Sequence, residues 1–146
     1  MSDATALLVQ AAATLPLVGL IWTVQLVHYP LFDGVGAEGF AEYERRHTVR
    51  ITWIVAPLML AELAVSGWLA LRVPEGVPAW QCWLRAALTA GIWLSTSFLQ
   101  VPRHKELAAG FAPAAHAALV GTNWIRTGLW TARGILTLAM LAARMT

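Results

Sequence analysis

Four histidines, His28, His47, His104 and His116, each stand beside the end of a long apolar segment. If four such segments cross a membrane in alternating directions, all four imidazoles reach one face. Each histidine also has polar company. Gln25 precedes His28 by three residues and Glu44 precedes His47 by three, spacings that place both partners on one helix face, and Arg50 follows a turn deeper. Gln100 precedes His104 by four. In the last segment His116 is followed by Asn123 and Thr127, and Trp130 and Gly134 prolong that stripe at about 100° per residue.

Imidazole with carboxylate suits iron, copper or zinc. His28, His47, His104 and His116 are therefore candidate metal ligands, with Glu44 a further ligand or a proton acceptor. Glu44-x-x-His47 is one half of the paired Glu-x-x-His arrangement of di-iron bundles, and the second copy is missing. Haem, held by one or two of these histidines, is the rival cofactor. Gln25, Arg50 and Gln100 would line the cofactor, and Asn123 with Arg126 would orient substrate oxygens. The plainer reading is that histidines at helix ends meet interfacial water. His104, inside the charged stretch RHKE, fits that reading best, whereas His28 and His47 are backed by Gln25 and Arg50.

The elements that must position these groups follow from composition. Of 146 residues, 58% are hydrophobic and only 12% charged, where a soluble domain carries about a quarter charged. Apolar stretches of about 20 residues suffice to span the hydrocarbon core, and four fit: about 5–29, 47–72, 80–101 and 114–143. The expected fold is all-α, a single-domain antiparallel up-down four-helix transmembrane bundle in a lipid bilayer. Between the first two helices, EGFAEYERRH reads as a short amphipathic helix lying at the interface, with Phe40 and Tyr43 on its apolar side. Pro30 and Pro102 are read as helix stops, and VPEGVP as a tight connection. The first segment lacks a basic leader and reads as a retained anchor. A formal charge of +2 without a basic stripe gives no reason to expect nucleic acid. The lone Cys82 excludes an intramolecular disulfide and any cysteine-based metal site.

Deeper in the bundle, Glu62 lies about 22 Å from His47 and Arg133 about 25 Å from His116, at 1.5 Å per residue on antiparallel helices. They are expected to meet as a buried pair. Arg126, about 15 Å from His116, has no carboxylate of matching depth, so it is expected to face a cavity holding an anionic or carbonyl-bearing ligand, or to turn to Asn123 and backbone carbonyls. Arg45, Arg46, Arg50, Arg103 and Lys105 on the histidine side outnumber Arg72, Arg85 and Arg144 on the other. The positive-inside rule then places the histidine face in the cytoplasm and both termini outside.

The segments LVGLIWTVQLVHYPLF, ERRHTVRITWIVAPLML and TNWIRTGLWTARGIL resemble the small four-helix integral membrane proteins grouped with the anthrone-oxygenase-like families. The likeness covers the helix arrangement and the Asn123-Trp124 segment. It implies a cofactor-poor or metal-assisted oxidoreductase acting on an aromatic or quinone-like molecule, with Gln25, His28, Asn123 and Arg126 as the matching positions. The expected function is thus an oxygenase-like membrane oxidoreductase with a hydrophobic small-molecule substrate. The alternative is a non-catalytic small subunit or assembly factor, with membrane protein partners or a second copy of itself. A transporter would call for repeats that the chain lacks.

Overall fold

The computed structural model describes residues 1–143; Arg144, counted in the charge balance above, lies outside them. Every regular element among the described residues is helical: α1 (Asp3–Thr23), α2 (Ala37–Leu71), α3 (Ala79–Ser95), α4 (Val101–Leu107) and α5 (Pro113–Ala142). Ser2 caps α1 by accepting the Thr5 N–H at 3.1 Å, satisfying one of the orphan donors of the first turn.

The two prolines read as helix stops are handled in the same unusual way. A proline clashes with the carbonyl four residues back. Ahead of Pro30 the chain widens into a π-helical turn over Val24–His28, where the Tyr29 N–H reaches the Val24 carbonyl at 2.9 Å. Ahead of Pro102 it widens again over Thr96–Gln100, where the Val101 N–H reaches the Thr96 carbonyl. The wider turn moves the obstructing carbonyl, so α3 runs on through Pro102 into α4 instead of ending at 101. Such single π turns recur at functional sites, and here they carry Gln25 and Gln100.

The interfacial helix expected over EGFAEYERRH is not a separate element. It forms the first turns of the 35-residue α2. Its apolar side faces the bundle: Phe40 is buried against Phe32 and Phe111, at centroid separations of 6.0 and 5.0 Å. Gly36, at φ +81°, makes the corner between the 3₁₀ segment Pro30–Val35 and α2, a conformation costly for any residue with a Cβ.

α1 packs on α2 and α5, and α3 packs on the same two, giving an up-down-up-down square. One end gathers Leu7, Leu69, Cys82 and Met140; the other gathers Tyr29, Phe32, Leu107 and Leu119. All four histidines lie at the second end. Two helical stretches, Asp3–His28 and Ala37–Leu71, are long and apolar enough to cross a membrane. On α5 the polar stripe Asn123, Arg126, Thr127, Arg133 lowers the hydropathy, yet all four are buried while Ile135 and Leu138 face outward.

Gly134 marks the tightest approach of α1 and α5, since a Cβ there would stand 3.0 Å from Val18 Cγ2. Valine in a helix has little rotamer freedom to yield. Gly134→Leu is expected to destabilise the protein by about 1–3 kcal/mol through overpacking. Gly128→Ala, with nothing within 4 Å, should be neutral or stabilising. Thermal unfolding of the purified variants checks both, and equal midpoints would contradict the packing account.

Candidate functional site

The histidine end is organised by hydrogen bonds among residues from different helices. The first turns of α2 present Glu44, α4 presents His104, and the end of the α1 rod presents Tyr29. His104 Nδ1 lies 2.5 Å from Glu44 Oε1, and His104 Nε2 lies 2.9 Å from the Tyr29 hydroxyl. An ionised carboxylate only accepts, so Nδ1–H donates to Glu44 and Nε2 accepts the Tyr29 O–H. The three groups form a directed chain, carboxylate to imidazole to phenol. Glu44 is fully buried and Tyr29 nearly so. His104, expected to be the most solvated histidine, is the centre of this chain. The sequence stretch RHKE is helical, and it turns Arg103 outward to Glu106 at 2.7 Å while His104 faces in.

The other histidines serve different partners. His28 Nε2 and His47 Nδ1 are 2.8 Å apart, so one ring donates to the other. His116 donates from Nε2 to the Tyr29 carbonyl at 2.7 Å and stacks on Phe32 at 6.3 Å, which holds the Tyr29 backbone in place. Arg50, expected beside a cofactor, is exposed on the outer face of α2. Among the described residues no group of three or more His, Cys, Asp or Glu is arranged to hold a metal ion. His104 has both ring nitrogens in hydrogen bonds, whereas His28 and His116 each keep Nδ1 outside these bonds and His47 Nε2 is buried without a partner.

One layer deeper, Gln25 accepts from Asn123 at 2.9 Å and donates to the Val120 carbonyl at 3.2 Å. Both residues tie the α1 π turn to α5 and neither lines the cavity, while Asn123 Oδ1 stays buried without a hydrogen-bond partner. Gln100 accepts from Ser95 and donates to Thr122 at 3.2 Å.

Between these layers lies a cavity of about 440 Å³. Leu17, Ile21, Val55, Met59, Trp93 and Trp130 make its walls apolar; Tyr29, His104, Gln100 and Arg126 supply its polar groups. Arg126 is 7% exposed, no carboxylate pairs with it among the described residues, and its guanidinium stands 5.0 Å from the Trp130 ring centroid. Its Nε has no hydrogen-bond partner. Arg126 thus lines the cavity with no carboxylate partner, and its side chain interacts with the Tyr29 hydroxyl. Thr52, Val101, Lys105 and Ala108 are exposed cavity residues, so the opening lies between α2 and the α3–α4 rod.

Below the cavity Glu62 and Arg133 meet at 2.8 Å, both fully buried. Glu62 also accepts from Thr14 at 2.6 Å and from Trp130 Nε1 at 3.1 Å. Arg133 donates onward to Ser66, to Thr89 and to the Arg85 carbonyl. This network floors the cavity through Trp130 and fixes the position of that ring.

Tyr29 was not singled out from the sequence, where it marks only the end of an apolar run. A phenol next to His28 and directly before Pro30 was the available signal. No family model, curated protein or solved structure matches the chain. The class that fold and site define is an all-α bundle with a polar axis and a ligand-sized, largely apolar cavity at its histidine end.

Proposed function

We propose that the protein is a multi-pass membrane oxidoreductase of oxygenase-like type, acting on a hydrophobic aromatic or quinone-like molecule bound in the cavity. The observation that carries this reading is the Glu44–His104–Tyr29 chain ending on an apolar cavity, where Tyr29 also meets Arg126, an arginine with no carboxylate partner among the described residues. A phenol or quinone oxygen at Arg126 gains a charge-assisted hydrogen bond. A proton leaving the substrate passes to Tyr29 as Tyr29 passes its own to His104, and ionised Glu44 stabilises the imidazolium that forms. The substrate anion is then electron-rich: a quinol that has lost this proton gives two electrons and its second proton to dioxygen and leaves as the quinone. Dioxygen takes the other proton back from His104 through Tyr29 and leaves as hydrogen peroxide.

The membrane part of the proposal rests on an inverted surface. Trp53 is 79% and Phe98 72% exposed, whereas Glu62, Arg133, Asn123 and Glu44 are buried. Lipid cannot satisfy polar groups, so they turn inward. Residues 51–71 of α2 rise about 30 Å, the thickness of the hydrocarbon core. All four long rods then cross the bilayer. The histidine end faces the cytoplasm, because Arg85 is buried and drops out of the opposing charge count.

Trp93 and Trp130 line the cavity, so their fluorescence reports a quinone directly. Titrating the purified protein with a short-chain benzoquinone should give saturable quenching. Arg126→Gln should weaken it at least about tenfold, the value of one charge-assisted hydrogen bond. Non-saturable quenching, or an unchanged Kd in the variant, would remove the ligand assignment. Near-stoichiometric iron, copper or zinc in protein purified without chelator would replace the hydrogen-bonded chain by a metal site.

A further inference from the structure

Beside the cavity, and sharing Ile51 with it, a second hollow of about 390 Å³ runs along one helical stripe of α2. Tyr43, Arg46, His47 and Arg50 line its outer half, and Ile51 and Ile54 its inner half, at the three- and four-residue spacing of a single face. His28 closes it from the end of the α1 rod, hydrogen-bonded to His47. The groove is therefore graded along the helix axis, cationic and hydrogen-bonding at one end and aliphatic at the other. Its charge is not balanced. Glu42, the neighbouring carboxylate, is shared between Arg45 and Arg46 at 2.8 and 2.5 Å, and Arg50 has no ion-pair partner among the described residues.

We propose that this groove holds an anionic phospholipid, its phosphate between Arg46 and Arg50 and an acyl chain along Ile51 and Ile54. The inference rests on the membrane-spanning reading, which puts residue 51 at the start of the apolar stretch and both arginines at the depth of lipid phosphates. Basic clusters beside a membrane span attract anionic lipid heads, and the guanidinium fork matches phosphate oxygens. The aliphatic end distinguishes a lipid from a free anion, because inorganic phosphate has nothing to place against Ile51 and Ile54.

The test is thermal unfolding in mild detergent with phosphatidylglycerol, phosphatidylcholine or inorganic phosphate added in turn. Phosphatidylglycerol should raise the midpoint by about 5 °C near a hundredfold excess over its Kd, and phosphatidylcholine should not. The double variant R46Q/R50Q should lose the shift, while Arg45→Gln, outside the groove, should keep it. A phosphate-only sample reproducing the full shift would overturn the lipid as occupant and leave a solution anion in its place. Equal shifts with both lipids, or a shift surviving in the double variant, would overturn the site altogether. Failure of the chain to partition into vesicles of either lipid would instead sink the membrane reading, and the phosphate sample would still report on the arginines.

Discussion

Glu62→Ala is expected to be the most destabilising single change in the protein. The carboxylate accepts from Thr14, Trp130 and Arg133, and every one of these groups is buried. Its removal leaves the Arg133 guanidinium charged and without a counterion, a loss of about 3–5 kcal/mol when one member of a buried pair is deleted. The α2–α5 diagonal has no backbone contact, so these side chains are its bridge, and Trp130 would lose its anchor as well. The expected result is a low yield of folded protein or a midpoint lower by about 10 °C. Adding Arg133→Leu should recover a substantial part, because an apolar pair of similar volume often replaces an ion pair without net cost. A single variant that unfolds within a degree or two of the parent would show that the network contributes little.

Tyr29→Phe is expected to have the largest effect on turnover. The change deletes the hydroxyl that meets His104 Nε2 and keeps the ring packed on Phe32 at 5.4 Å. The backbone carbonyl that His116 holds is also kept. General acid–base groups contribute about 10²- to 10⁴-fold, so kcat for a quinol-like substrate, followed as oxygen uptake, should fall by that order. Ligand affinity from tryptophan quenching should change by less than about threefold, since Arg126 rather than Tyr29 carries the charge-assisted contact. This split between turnover and binding separates a proton-transfer role from a packing role. A variant with unimpaired turnover would place the proton elsewhere, and one that loses affinity and stability together would make Tyr29 a structural residue.

Much of the architecture could be read from the order of residues. Apolar stretches interrupted by VPEGVP and by the glycine-rich stretch after Pro30 point to four long helical rods, because runs of that length are too long for strands and a helix closes its own N–H and C=O groups within the segment. Their alternating direction follows from the short connections, and with it the meeting of the histidines at one end. Matching Glu62 to Arg133 needed only the 1.5 Å rise per residue, since both lie at similar depths on antiparallel helices. That no carboxylate meets Arg126 among the described residues agrees with the same ruler.

Tertiary structure decided what those groups do. Spacing placed His104 beside Gln100 and among charges, but the side facing inward depends on the π turn over Thr96–Gln100, which rotates α4 relative to α3. Periodicity at 3.6 residues cannot foresee that extra residue in the turn. The same device ahead of Pro30 delivers Tyr29 to His104 and brings Gln25 against Asn123. Residues 38–47 look equally amphipathic whether they lie on a bilayer or on a bundle. Phe32 and Phe111, distant in sequence, provide the surface that draws Phe40 and Glu44 inward. The residue types thus determined the rods, their directions and the depth of each polar group. Azimuth around each rod, which separates a hydrogen bond from a cavity wall, came from packing between helices.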